Sequence, residues 1–97
     1  GVNIFPIQVE QTLMEIPEVG QNYLIILERA AGMDTMRLQV EVRSEIFEED
    51  MRYLKGLEQK ITRELRNELL ITPKIELVQP NTLPRSQGKA VRVEDRR

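Results

Sequence analysis

Apolar residues recur along this chain with two periods, close to four and two, and the switches between them mark out its elements. Val2 to Phe5 is short, apolar and β-prone, and Pro6 follows where a helix can begin, since a first-turn residue has no intrahelical use for the amide that proline lacks. Val9, Leu13 and Ile16 step by four and three along one face of that helix. Pro17 disfavours helical geometry at Ile16, so the helix is expected to end there. Tyr23 to Leu27 is a compact apolar run with aromatic and β-branched members, which predicts a strand, and a polar turn around Gly32 and Asp34 follows it. From Met36 the chain alternates, with Met36, Leu38, Val40 and Val42 on one face and Arg37, Gln39, Glu41 and Arg43 on the other. That pattern predicts a half-buried strand, hairpin partner of the one before. Phe47, Met51, Leu54, Leu57, Ile61, Leu65 and Leu69 then step by three or four, predicting one helix of about five to six turns. Ile75, Leu77 and Val78 after Pro73 read as a last strand, and Pro80 leads into a polar loop.

The order βαββαβ predicts an α+β, ferredoxin-like domain, an antiparallel sheet with two helices on one face. Leu38, Val40 and Val42 are expected to be buried against Leu54, Ile61 and Leu65, because each set is the continuous apolar face of its element. With no internal repeat, low-complexity tract or linker, residues 1–97 read as a single domain. A chain of this size buries one modest core and cannot also enclose a nucleotide and an acyl substrate. Complete catalysis by the isolated chain is therefore not expected. The topology itself is silent on function.

Composition narrows the chemistry. Lysine and arginine number 14 against 16 acidic residues, a net charge of −2, which argues against a general nucleic-acid binder. No cysteine is present, which excludes disulfides and thiolate sites and suits a reducing cytoplasm. Histidine is absent as well, and with it the serine and cysteine triads and ordinary zinc sites. No apolar run approaches the roughly 20 residues needed to cross a bilayer, and the start lacks the pattern of a signal peptide, so a soluble, cytoplasmic protein is expected. Glu45, Glu48, Glu49 and Asp50 have the composition of a metal cluster, but they fall where the long helix starts and are assigned to its macrodipole. Arg92, Arg96 and Arg97 belong to a mixed Glu-Asp-Arg tail that is read as solvated and left out of the site.

One segment stands apart. Leu83-Pro84-Arg85-Ser86-Gln87-Gly88-Lys89 is a proline-stiffened polar loop that ends on one of only four lysines in the chain. Gly88 permits backbone geometry closed to other residues, and the Lys89 ammonium on its flexible stem suits a phosphate or carboxylate. The chain opens Gly1-Val2-Asn3-Ile4-Phe5-Pro6-Ile7-Gln8-Val9-Glu10. The opening and the loop together, with the Ile16-Pro17-Glu18 break and the Arg37 to Arg43 strand between them, resemble the C-terminal domain of phenylacetate-CoA ligases, members of the adenylate-forming superfamily. The resemblance runs over nearly all 97 residues. Two departures are Gln87, where an acidic residue is expected before Gly-Lys, and Asn22, where the family often carries histidine.

The resemblance implies an ATP-dependent aryl- or acyl-CoA ligase whose small C-terminal domain closes over an N-terminal adenylation domain in two orientations. One makes the acyl-adenylate with release of pyrophosphate, the other the thioester with release of AMP. On this pattern Lys89 in the loop at 79–90 is catalytic, touching the substrate carboxylate and the α-phosphate oxygens. Gly1, Val2 and Asn3 line the approach of the coenzyme A arm, and Arg85 and Gly88 join them in binding cofactor. ATP and magnesium would be bound mainly by the preceding domain, and no metal is expected on this one. The hinge residue should precede Gly1. The chain would then be one domain of a larger enzyme of phenylacetate catabolism type, inactive alone, with the acid unspecified and homodimerisation open. The alternative is a ferredoxin-like, small-molecule-sensing or dimerising regulatory domain, which explains the elements equally well but not the pairing of the two motifs. A reading frame upstream of Gly1 carrying a Ser/Thr/Gly-rich phosphate loop would discriminate the two.

Overall fold

The computed structural model describes residues 6–69, 72–83, 85–86, 89–90 and 93–97. The elements run α1 (Pro6–Met14), β1 (Val19–Ala30), β2 (Met33–Val42), α2 (Ser44–Phe47), α3 (Met51–Glu68), β3 (Lys74–Val78), β4 (Arg85–Ser86), β5 (Lys89–Ala90) and β6 (Val93–Asp95). The strand expected over Val2 to Phe5 lies outside the described residues. β3, β2, β1 and β6, in that order, form one sheet, and β4 and β5 pair separately.

β1 and β2 are the antiparallel centre of the sheet, longer than the apolar runs that announce them. Ala31 (φ 52°) and Gly32 (φ 78°) join them, and the two left-handed residues give the turn the twist a tight hairpin needs. Glycine takes that geometry freely; alanine adopts it because the strands on both sides leave no alternative. The flanking pairs, β2 with β3 and β1 with β6, are parallel. This corrects the expectation of an antiparallel sheet. The connection from β2 to β3 contains the 18-residue α3, which carries the chain back to the end of the sheet where β2 began, so that β3 runs beside it in the same direction.

The expected long helix is in fact two. Asp50 is extended (φ −70°, ψ 167°) and its carboxylate accepts a hydrogen bond from the Tyr53 amide at 2.9 Å, which caps α3 at its start. Phe47 therefore belongs to the short α2. Of the acidic run, Asp50 thus has a definite role, and the described residues contain no group of three or more carboxylates placed for a metal ion.

Both long helices cover one face of the sheet. Val9, Leu13 and Ile16 from the α1 region, Tyr23 and Ile25 of β1, Met36, Leu38, Val40 and Val42 of β2, and Leu57, Ile61, Leu65 and Leu69 form one buried cluster with Ile75. Leu57 takes the place foreseen for Leu54, which is only half-buried. No described helix is long and apolar enough to cross a membrane. The opposite face is covered locally: Leu24 and Ile26 are buried beneath Leu83, with Val78 beside them. The rest of that face is polar, with Arg37 bridging Glu28 at 3.2 Å and Glu76 at 3.4 Å, and Gln39 donating to Glu76 at 3.2 Å.

The tail is structured rather than merely solvated. Val93–Asp95 add to β1 as β6, the Arg96 amide donates to the Leu27 carbonyl at 2.7 Å, and the Arg97 guanidinium reaches Asp95 and Asp34, each at 2.9 Å. Its hydrogen bonds, from both side chain and backbone, hold the Asp95 carboxyl at about 2, below its ordinary 3.8. Asp34, which accepts from Arg29 and Arg97, is lowered too.

Candidate functional site

The lysine loop hangs from the polar face. After β3 the chain turns at 79–82: Thr82 donates its hydroxyl to the Gln79 carbonyl at 2.5 Å, and Asn81 takes a left-handed conformation (φ 63°). Asparagine is one of the few non-glycine residues that accepts it readily. Leu83 then inserts over Leu24 and Ile26. Two residues later the chain enters the β4–β5 hairpin, in which Arg85 pairs with Ala90 and Ser86 with Lys89. Lys89 therefore opens the returning strand of a tight ribbon whose base is the buried Leu83.

Beside that base is a buried carboxylate. Alternation along β2 puts Glu41 on the face away from the helices, yet it is only 3% exposed. Its Oε1 accepts from Asn22 Nδ2 at 3.2 Å and from the Asn81 amide at 3.0 Å, and its Oε2 from the Leu83 amide at 3.1 Å. Asn22, 8% exposed, is aimed by an irregularity of β1: between Val19 and Tyr23 four residue steps face only two on β2. Such an insertion re-directs the side chains within it. Gly20 lies in the same bulge, where a Cβ would meet the Glu41 carbonyl oxygen at 3.0 Å, so a side chain there would push the strands apart. A groove of about 320 Å³ runs along this corner, between Gly20, Asn22 and Glu41 on one side and Pro80 and Asn81 on the other.

Of the residues singled out from sequence, Lys89 and Arg85 are brought into one hairpin by their backbones. Gly1, Val2, Asn3 and Gly88 lie outside the described residues. Sequence reasoning missed Glu41, which alternation assigned to the solvent side, and treated Asn22 only as a departure from a family pattern. Nothing in the alternation singles out Glu41, since Arg37, Gln39 and Arg43 share its phase along the strand.

Comparison with known proteins adds three findings. The family model described as AMP-binding enzyme C-terminal domain matches residues 1–97. A phenylacetate-coenzyme A ligase of Thermus thermophilus is 37% identical over 105 residues, spanning 95% of this chain and 23% of that protein. The chain thus spans about a quarter of the length of this relative. Among solved structures, a domain of phenylacetate-coenzyme A ligase from Bacteroides vulgatus ATCC 8482 superposes with a TM-score of 0.87 at 46% identity, over 100% of this chain and 88% of that one. A 2-hydroxyisobutyryl-CoA ligase in complex with 2-HIB-AMP and CoA in the thioesterification state superposes with a TM-score of 0.85 at 28% identity, over 97% of this chain and 20% of that one. In its postadenylation state with 2-HIB-AMP the same ligase gives 0.82 at 29%, over 100% and 20%.

Proposed function

The chain belongs to the family of AMP-binding enzyme C-terminal domains, and from that premise we propose that it is the mobile lid of an ATP-dependent aryl- or acyl-CoA ligase, bringing Lys89 to the acyl-adenylate centre in the first half-reaction. The observation that carries the reading is the family match over the whole of residues 1–97, because the Lys89 loop and the Gly1-Val2-Asn3 opening both fall inside it. Relatives named as phenylacetate-coenzyme A ligases support an aryl acid as substrate. A related ligase captured in both postadenylation and thioesterification states supports a domain that serves two steps. The regulatory alternative finds no support among these relatives.

In this reading the chemistry of the chain is electrostatic. As the acid's carboxylate attacks the α-phosphorus and pyrophosphate leaves, negative charge gathers on the α-phosphate oxygens, and an ammonium fixed there stabilises the transition state more than the ground state. Arg85 and Gly88, in the same loop, would contribute to binding the cofactor. Gly1, Val2 and Asn3 line the approach of the coenzyme A thiol arm in the second orientation. Magnesium would neutralise the phosphates of ATP from the preceding domain, which also supplies the acid pocket. We place the enzyme in the cytoplasm, where a cysteine-free chain has no disulfide to maintain.

The test is Lys89→Ala in the ligase that carries this domain. Pyrophosphate exchange, which reads adenylation, should fall about a hundredfold or more, the usual loss for one preorganised charge-stabilising group. Thioester formation from synthetic acyl-adenylate and coenzyme A should largely survive. Equal losses in the two assays would show that Lys89 supports folding or closure generally, and would remove the assignment.

A further inference from the structure

We propose that Glu41 is a positioning residue for the Lys89 hairpin: its buried carboxylate clamps the turn at 79–83 and so fixes the base from which β4 and β5 project. The proposal rests on the reading of Lys89 given above. A carboxylate taken out of water is strongly destabilising unless hydrogen bonds replace its hydration. At Glu41 three N–H groups among the described residues do so, and two of them are backbone amides of one turn, Asn81 and Leu83. Each carboxylate oxygen takes one of those amides. The turn is thereby held at two points two residues apart, which fixes its direction as well as its place.

The rest of the corner serves the same geometry. The left-handed Asn81 lets the 79–83 turn direct two amides at one carboxylate. Leu83 adds an apolar anchor over Leu24 and Ile26. Asn22 reaches the Oε1 that also takes the Asn81 amide, and the β1 bulge that aims Asn22 needs Gly20 for its close approach to Glu41. From Leu83 the chain reaches the hairpin within two residues, and in the hairpin Lys89 pairs with Ser86. Displacement of the base displaces the strand that carries Lys89, and a shift of about 1 Å at a reacting centre is enough to slow chemistry about a hundredfold. A glutamine in place of Glu41 retains the shape but not the function, since its one oxygen cannot meet both amides and its NH₂ group faces a donor.

The experiment combines amide hydrogen exchange on this 97-residue chain with half-reaction kinetics on the ligase that carries it. In the unaltered chain the Asn81 and Leu83 amides should be protected although they lie outside the sheet; exchange at the rate of an open loop would overturn the proposal. In Glu41→Gln those two amides should exchange about tenfold faster or more, the loss expected for a hydrogen bond to a charged group, while Ile25 and Leu38 amides in the core keep their protection. In the ligase, Glu41→Gln should lower the rate constant for adenylation about tenfold to a hundredfold with KM for ATP and acid unchanged. Thioester formation from supplied acyl-adenylate should stay near the unaltered rate. Loss of protection at Ile25 and Leu38 as well would show that Glu41 holds the whole fold, and would overturn a positioning role. So would faster loop exchange with adenylation unaffected, provided Lys89→Ala slows that step. If Lys89→Ala has no effect, the assignment of Lys89 fails while the exchange data still report on the clamp.

Discussion

Emptying the centre of the core at Ile61 should cost the domain a large share of its stability. Ile61 is fully buried on α3, one turn from both Leu57 and Leu65, in the cluster that includes Leu38, Val40 and Val42 of β2. Ile61→Ala removes three carbon groups, about 2.4 kcal/mol at about 0.8 kcal/mol for each. A cavity contribution adds to that, because neighbours held in a helix and a strand cannot collapse into the space; the sum, about 3 to 4 kcal/mol, lies within the range of about 2–5 found for such truncations. Against a total of roughly 5–15 kcal/mol for a chain of this length, this is severe but survivable. With a urea dependence of about 1.5 kcal/mol/M, the midpoint should fall by about 2 M. Leu54→Ala provides the contrast: Leu54 is half-buried where Leu57 is buried, so it should cost about 1 kcal/mol, nearer a surface substitution. Urea unfolding followed by circular dichroism measures both. A midpoint unmoved by Ile61→Ala, or moved equally by Leu54→Ala, would refute the assignment of α3's buried face.

Asp50→Ala should lower stability by about 1 kcal/mol in the same assay, the usual loss of an N-cap acceptor, and Asp50→Asn should restore most of it. Asp95, held at about 2 by Arg97, is depressed in the folded chain, so its contribution is fully present above its ordinary 3.8 and is lost as pH falls toward 2. Carboxyl NMR should show that titration, and Arg97→Gln should return it toward 3.8; an unchanged midpoint in the variant would mean that the contact does not persist in solution.

Much of the helix-bearing face was legible because its signal is local. Val9, Leu13 and Ile16, or Leu57, Ile61 and Leu65, declare a face through spacing alone, whatever they meet. What failed was decided elsewhere. The stepping of apolar residues through Phe47 and Met51 reads as one helix, and only the capping geometry of Asp50 breaks it. Strand direction is likewise absent from periodicity: Ile75 and Leu77 look the same whether β3 runs with β2 or against it. The tail reads as solvated because its charges are dense, yet Asp95 and Asp34 give Arg97 partners that its neighbours in sequence do not disclose. The motif at 83–89 draws attention to Lys89, and its role stands as the proposal made above. Glu41 was not legible, since its partners at positions 22, 81 and 83 lie about 20 or 40 residues away.

The two faces of the sheet therefore carry different burdens, and that separates stability from function in a way single variants can exploit. The helix-bearing face is apolar and holds Ile61 and its neighbours, so substitutions there act on the whole fold. The other face buries few apolar residues, chiefly Leu24, Ile26 and Leu83, and relies on the charge of Glu41 to set the direction of a turn. Apolar contact alone would hold Leu83 in place but leave the chain free to pivot about it, because dispersion is non-directional whereas a carboxylate meeting two amides is not. Under the function proposed above, a lid alternating between orientations would have to move as one body, with Lys89 at a fixed place on that body. On this reasoning Glu41→Gln and Ile61→Ala should be distinguishable even at equal loss of ligase output: the first should leave the urea midpoint close to that of the unaltered chain while slowing adenylation selectively, and the second should depress the midpoint and both half-reactions together, in proportion to the folded fraction.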